Sequence, residues 1–273
     1  MKRKIIFIIF LFLLLAQIHT SSAQLTPKEI TERPKWEEFL KTAEIVRHKD
    51  IGEGITRPIR LFLKAGDFEG SGCWKNPSGI QQGYLEGWKY EIAAYEMDKL
   101  LELNMIPVTV EKRFNGKKGS LQLWVEDVIS LLDILEKKIQ FPKEKIDHYN
   151  KTKYIARAFD SLIANEDRTQ QNMFYTKDWR LILIDHSRSF RSARKFTKKL
   201  MFGKNGIRGV KLIRQLPKAF VENIKALNFD NIQKAVGPYL KKKEIEAILK
   251  RKKLLLKEIE EMIKEKGEEN VLY

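Results

Sequence analysis

The feature that most constrains this chain is a change of period near Glu126. Before it, apolar residues alternate with others over residues 59–64, with Ile59, Leu61 and Leu63 on one side, and strand-like runs recur over 108–114 and 119–125; this is the pattern of half-buried strands. After it, apolar residues return every three or four positions. The cleanest case is Ile155, Ala158, Phe159, Leu162 and Ile163, which fall on one face of a helix;. A chain ordered this way folds as an α+β unit, a small sheet followed by a helical body.

The remaining elements fit that division. Residues 25–49 read as a lead-in helix with Pro34 near its start, and residues 59–64 pair with a strand that begins at Cys73-Trp74-Lys75 after a glycine-rich turn. Ala93, Ala94, Met97, Leu100 and Leu101 place a helix over 90–103, with Glu91 beside its apolar face and Pro107 marking its end;. Asn115-Gly116 turns the next strand pair;. Helices are expected over 129–138 and 146–164, then a hairpin of 173–175 with 180–184, and a charged tail helix over 241–266.

Residues 1–23 read as a signal peptide. Lys2, Arg3 and Lys4 precede an apolar run from Ile5 to Ala16, and Ser21-Ser22-Ala23 offers small residues for cleavage;. The run is shorter than the roughly 20 residues that span hydrocarbon, so export is expected over the alternative of an uncleaved anchor. The site of arrival, whether periplasm, cell surface or secretory lumen, stays open. Cys73 is the single cysteine, which excludes an internal disulfide, and four scattered histidines exclude a common zinc site;. A small buried hydrophobe is the expected role for Cys73. Any metal site must be built of oxygens.

The chemistry centres on Asn165-Glu166-Asp167-Arg168-Thr169-Gln170-Gln171-Asn172 and on the apolar run 181–184 that ends at Asp185. Asp167 and Asn172 carry the D-x-x-x-x-N spacing of a phosphoryl-transfer loop, in which the acid orients an incoming hydroxyl and the amide oxygen binds metal. Asp185 ends the following strand, where a second metal-binding acid belongs. The intervening hairpin brings Asn172 and Asp185 to one sheet end, where a hard cation such as magnesium joins them. Lys75 would contact phosphates and be held by Glu91. Taken alone the spacing is common in caps and turns, so the order of the parts carries the reading.

Those parts resemble the atypical kinases that include the phosphatidylinositol 3-/4-kinases and their small bacterial relatives, and more distantly the secretory-pathway kinases of the Golgi. The matching stretches are Gly54-Ile55-Thr56 with Pro58, Cys73-Trp74-Lys75, Glu91-Ile92-Ala93-Ala94-Tyr95, residues 105–110, Gly119-Ser120-Leu121-Gln122, Asp167-Arg168 with Asn172, and Ile184-Asp185. The resemblance implies a two-lobed protein-kinase-like fold, with residues 24–126 as lead-in helix and N-lobe and 127–273 as C-lobe. It also implies ATP between the lobes, with adenine against the connection that runs from Gln122 through Val125 to Glu126.

Two positions depart from the family pattern. Thr169 stands where the lipid kinases carry a histidine, so Asp167 must serve alone, and His186-Ser187 replaces the usual Phe-Gly after Asp185. His186 is expected to pack or cap. The expected activity is transfer of the γ-phosphate of ATP, with magnesium, to a hydroxyl of a protein, lipid or small molecule; adenylyl transfer and a degenerate kinase fold that binds an anionic partner are the alternatives. The net charge of +16 and the run Arg188, Arg191, Arg194, Lys195, Lys198 and Lys199 suit an acidic protein segment or an anionic lipid;. No aromatic-interleaved nucleic-acid motif is present, which argues against that partner.

Overall fold

The computed structural model describes residues 25–52, 57–209 and 213–273. The signal-peptide reading of 1–23 and the Gly54-Ile55-Thr56 motif lie outside the described residues. Helix α1 (Pro27–Thr42) opens with a capping box: Thr26 Oγ1 accepts the Glu29 N–H at 3.2 Å, and Glu29 Oε2 accepts the Thr26 N–H at 2.6 Å;. The helix ends seven residues before the expected position, at Thr42, and Pro34 sits inside it. Glu44–Asp50 forms an edge strand, β1, because Ile45 and Val46 favour the extended chain and the backbone pairs antiparallel with β2 (Ile59–Ala65);. The register shifts between Ile45 and Arg47, and Val46 faces solvent;.

Strand β3 (Phe68–Lys75) pairs with β2 across a two-residue turn, so Lys75 ends its strand where the sequence reading began it. The glycines after the turn belong to the strand. A Cβ at Gly72 would fall 2.7 Å from the Gln122 carbonyl oxygen, so only glycine allows β3 to lie against its neighbour there;. A short hairpin, β4 (Ser78–Gln81) and β5 (Tyr84–Gly87), leads into helix α2 (Trp88–Leu100). Strands β6 (Thr109–Phe114) and β7 (Lys117–Leu123) complete an antiparallel five-stranded sheet of order β1-β2-β3-β7-β6.

Beyond residues 124–127 the chain makes β8 (Val128–Ser130) and the short helix α3 (Leu131–Glu136), where a single helix was expected. Helix α4 (Ile146–Ile163) follows, then β9 (Met173–Thr176) and β10 (Leu181–Leu183), which extend β8 into a three-stranded sheet. Beyond β10 the described residues form the α-helices α5 (Arg194–Lys198), α6 (Lys218–Ala226), α7 (Phe229–Val236) and α8 (Lys242–Lys266). The result is a two-lobed α+β fold, a β-rich lobe over a helical one.

Core packing is continuous between the lobes. Leu61, Leu63, Trp74, Val110 and Leu121 of the large sheet and Ala93, Ala94 and Met97 of α2 belong to the same buried body as Ile155, Phe159 and Leu162 of α4. Each large apolar side chain so buried contributes roughly 1.5–3 kcal/mol. Asp98 of α2 is also fully buried and accepts the Met105 N–H at 2.9 Å, while the Met105 carbonyl accepts the Leu183 N–H at 2.9 Å. The turn after α2 is thereby fixed to β10, two residues before Asp185.

Candidate active site

Lys75 leaves the end of β3 and meets two carboxylates. Its Nζ lies 3.2 Å from Asp185 Oδ2 and 3.4 Å from Glu91 Oε1. Gly119 makes room for this strand end, since a Cβ there would fall 2.4 Å from the Lys75 carbonyl oxygen. Glu91 is buried in the first turn of α2, and its Oε2 accepts the His186 N–H at 2.9 Å. Burial alone would lower the Lys75 ammonium, but Asp185 and Glu91 outweigh it and hold the group above the ordinary lysine range;. Burial would likewise raise Glu91, and Lys75 with His186 holds its carboxyl well below the usual range;.

The loop between α4 and β9 is shaped by one arginine. Helix α4 closes on Ala164 in the left-handed conformation (φ 51°), and the Asn165 side chain then bridges the buried Asp160 at 3.0 Å and the Asp167 N–H at 2.9 Å. Arg168 Nε donates to Asp160 at 2.9 Å, and its Nη1 donates to the carbonyls of Asn172 and Ile184, both at 2.8 Å. That guanidinium ties the loop to the strand carrying Asp185. Asn172 Nδ2 donates to the Asp167 carbonyl at 2.8 Å, which leaves the amide oxygen as the atom for a cation;.

Asp185 lies two residues past the end of β10 and takes φ 55°, a region that aspartate tolerates better than most residues;. His186 is fully buried, and Arg168 Nη2 lies 2.8 Å from its Nε2. Since a guanidinium only donates, Nε2 accepts and Nδ1 carries the proton. Burial holds the imidazole below its ordinary range, so His186 packs as a neutral ring;.

A second arginine was not anticipated in this role. Arg188 donates from Nε and Nη2 to Glu86 Oε1 at 2.8 and 2.7 Å, and its Nη1 stands 3.6 Å from Asp167 Oδ2. Ser187 Oγ lies 3.1 Å from Asp185 Oδ1 and 3.3 Å from Glu86 Oε2. Arg191 bonds Glu166 and the Leu85 carbonyl. Burial raises the Asp167 carboxyl, with Asp185 and Glu86 adding to the effect and Arg188 opposing it;. Sequence reasoning missed Glu86 because the β4–β5 hairpin that carries it showed no clear alternation.

These pairings correct the reading of the basic run. Arg188 and Arg191 are buried and bonded to Glu86 and Glu166, so neither is available to dock a partner; Arg194, Lys195, Lys198 and Lys199 are exposed. Gln122 pairs with Cys73 across β7 and β3 and shares a sheet face with it and with Lys75, while its Nε2 donates to Thr109 Oγ1 at 3.0 Å;. Val125 lies half-buried in the connection between the lobes, next to Trp124, whose ring stacks 4.2 Å from the Arg60 guanidinium. Cys73 is a free thiol pushed up to about 11 by burial.

Lys75, Glu91, Asp167, Asn172 and Asp185 therefore meet at one place between the lobes. Among the described residues no cluster of three or more acid, histidine or cysteine side chains is built to hold a metal unaided. The oxygen donors of Asp185 and Asn172 fit magnesium, which is ordinarily bound through one or two carboxylates and completed by substrate phosphates.

No protein-family model matches the sequence, and no curated protein matches it. Solved structures do match in shape. A hydra Fam20 protein solved with sugar superposes with a TM-score of 0.67 at 17% identity, over 93% of this chain and 95% of that one. The Golgi casein kinase with manganese and ADP bound gives 0.67 at 13%, over 92% and 80%. The Helicobacter pylori proinflammatory kinase CtkA gives 0.53 at 11%, over 84% and 98%. At such identities the likeness is one of fold: the chain has the fold of an atypical kinase;.

Proposed function

We propose that this protein is an ATP- and magnesium-dependent phosphotransferase that moves the γ-phosphate of ATP to a hydroxyl of an acceptor. The observation that carries the reading is Lys75 Nζ set between Glu91 and Asp185 in a kinase fold;. Lys75 neutralises the non-transferred phosphates, and Glu91 keeps it in place. Asp167 orients the acceptor hydroxyl and accepts its proton as the oxygen bonds to the γ-phosphorus and the bond from that phosphorus to the β–γ bridging oxygen breaks, releasing ADP. Asp185 and Asn172 hold the divalent ion, which when bound supplies positive charge to the phosphate oxygens. Gln122 and Val125 border the adenine. The manganese and ADP in the Golgi casein kinase, a protein of like fold, support a nucleotide and divalent cation in this cleft.

The closer grouping with phosphatidylinositol 3-/4-kinases and small bacterial relatives rests on the sequence motifs. Export rests on the sequence of residues 1–23, and among the described residues no helix is long and apolar enough to cross a membrane. The exposed Arg194, Lys195, Lys198 and Lys199 favour an acidic protein or anionic lipid acceptor;. Incubation with ATP labelled at the α- or the γ-phosphate tests the reaction. Incorporation of γ label alone, lost in D185A, is the expected result; α label would make the protein an adenylyltransferase. No label and no nucleotide-dependent melting shift would make it a binding module.

A further inference from the structure

Arg251, in the middle of α8, has no exposed surface and no acid among its partners in the described residues. Its Nε donates to the Leu162 carbonyl at 2.7 Å, and its Nη1 donates to the carbonyls of Arg191 at 2.6 Å and Phe196 at 3.5 Å. Its Nη2 is buried without a partner among the described residues. Taking a guanidinium out of water with no carboxylate beside it is strongly unfavourable. Burial accordingly pulls its pKa down to about 9. An apolar side chain of similar length would fill the same space without that penalty, so stability alone does not account for an arginine here.

The three carbonyls show what the charge does. Leu162 is the penultimate residue of α4, where the unpaired C-terminal carbonyls carry the negative end of the helix dipole, and α4 runs through Ala164 directly into the Asp167 loop;. Arg191 and Phe196 belong to the segment that leaves Asp185, and the Arg191 side chain reaches Glu166 in that loop and the Leu85 carbonyl in the β4–β5 hairpin. About two turns earlier on α8, Glu244 Oε1 accepts the Tyr90 hydroxyl at 2.7 Å, one residue before Glu91;. The C-terminal helix thus grips both acids' supports, the loop of Asp167 and the helix of Glu91.

We propose that Arg251 is a positioning residue through which α8 sets the Asp167 loop and the segment after Asp185 in register for phosphoryl transfer, an inference that rests on the phosphotransferase reading. None of Arg251's hydrogen bonds among the described residues reaches Lys75, Glu91 or Asp185 directly. Its loss therefore acts on the chemical step more than on nucleotide binding.

The test compares the full chain with R251M and R251K by steady-state ATP turnover and by amide hydrogen exchange of residues 160–168 and 186–196. R251M is expected to melt near the parent, to exchange those amides at least about ten times faster, and to lose roughly 100-fold in kcat with KM for ATP within about three-fold. R251K keeps the charge with a single donor head and recovers part of kcat. Parent-like exchange and kcat in R251M would overturn the proposal. Should R251M not fold, R251Q is read by the same criteria. Absence of turnover in the parent would sink the phosphotransferase reading instead, and with it the catalytic purpose of Arg251; unchanged exchange in R251M would then also reject the hold of α8 on the Asp167 loop, and faster exchange would uphold that hold alone.

Discussion

The Lys75 ammonium lies 3.2 Å from Asp185 Oδ2, so the end of β3 and the segment after β10 are paired across the two lobes. Under the proposed reaction both atoms would be needed elsewhere once a nucleotide enters, Lys75 on phosphate and Asp185 on the divalent ion. The contact would then be exchanged for ligand contacts on binding. Replacing Lys75 by methionine leaves Glu91 and Asp185 facing each other without a cation. K75M is expected to lose at least about 100-fold in ATP turnover and about 3 kcal/mol of stability, read from urea unfolding. D185N should lose turnover to a similar degree with much smaller loss of stability, since Asp185 is the more exposed partner;.

Arg168 and Asp160 form the least exposed ion pair around the loop, at 4% and 0% side-chain exposure. The guanidinium also serves the carbonyls of Asn172 and Ile184, a planar fork that lysine cannot reproduce;. R168K should cost about 2–4 kcal/mol in urea unfolding and abolish turnover. A loss below about 0.5 kcal/mol would show that the loop holds its shape without the arginine.

Glu86 and Arg188 couple the hairpin before α2 to the neighbourhood of Asp167. In E86Q the guanidinium loses its main acid and turns toward Asp167, which competes with the acceptor hydroxyl. Turnover should fall about ten-fold, while the affinity for MgATP, which the proposal assigns to Lys75 and Asp185, stays within about two-fold. Isothermal titration together with initial rates separates the two effects.

Asp98 gives the fold a pH dependence of known sign. Burial raises its carboxyl to about 7, and the Met105 N–H opposes this;. With a folded value above the unfolded one, its contribution to stability is complete below the ordinary Asp range and is lost as pH rises toward 7. The D98N variant, which cannot ionise, should therefore gain melting temperature relative to the parent between pH 4 and 7. His186 works the other way: held neutral by burial, it withdraws stability as pH falls through the ordinary histidine range;. A flat difference between D98N and the parent across that window would contradict the Asp98 assignment.

Much of the fold and the site was legible in the sequence where local pattern and function coincide. The alternation at Ile59, Leu61 and Leu63, the stripe on α4 and the order of Lys75, Glu91, Asp167, Asn172 and Asp185 carried the sheet, the helices and the cleft. Legibility failed where an element depends on distant partners. Residues 44–49 read as helix because their polar composition hides an edge strand whose pairing with β2 decides its shape;. Arg188 and Arg191 read as a docking surface because nothing local reveals Glu86 and Glu166 as their partners. Nothing in the sequence marks Arg251 as buried, since its partners are backbone carbonyls 55 to 89 residues away.

Intact-mass spectrometry of the protein and an offered hydroxyl acceptor after incubation with ATP and magnesium tests the central claim most directly. A gain of one phosphate on protein or acceptor, absent in D167A and D185A, is the predicted result. A gain of adenylate, or no gain while nucleotide leaves the melting temperature unmoved, would contradict it.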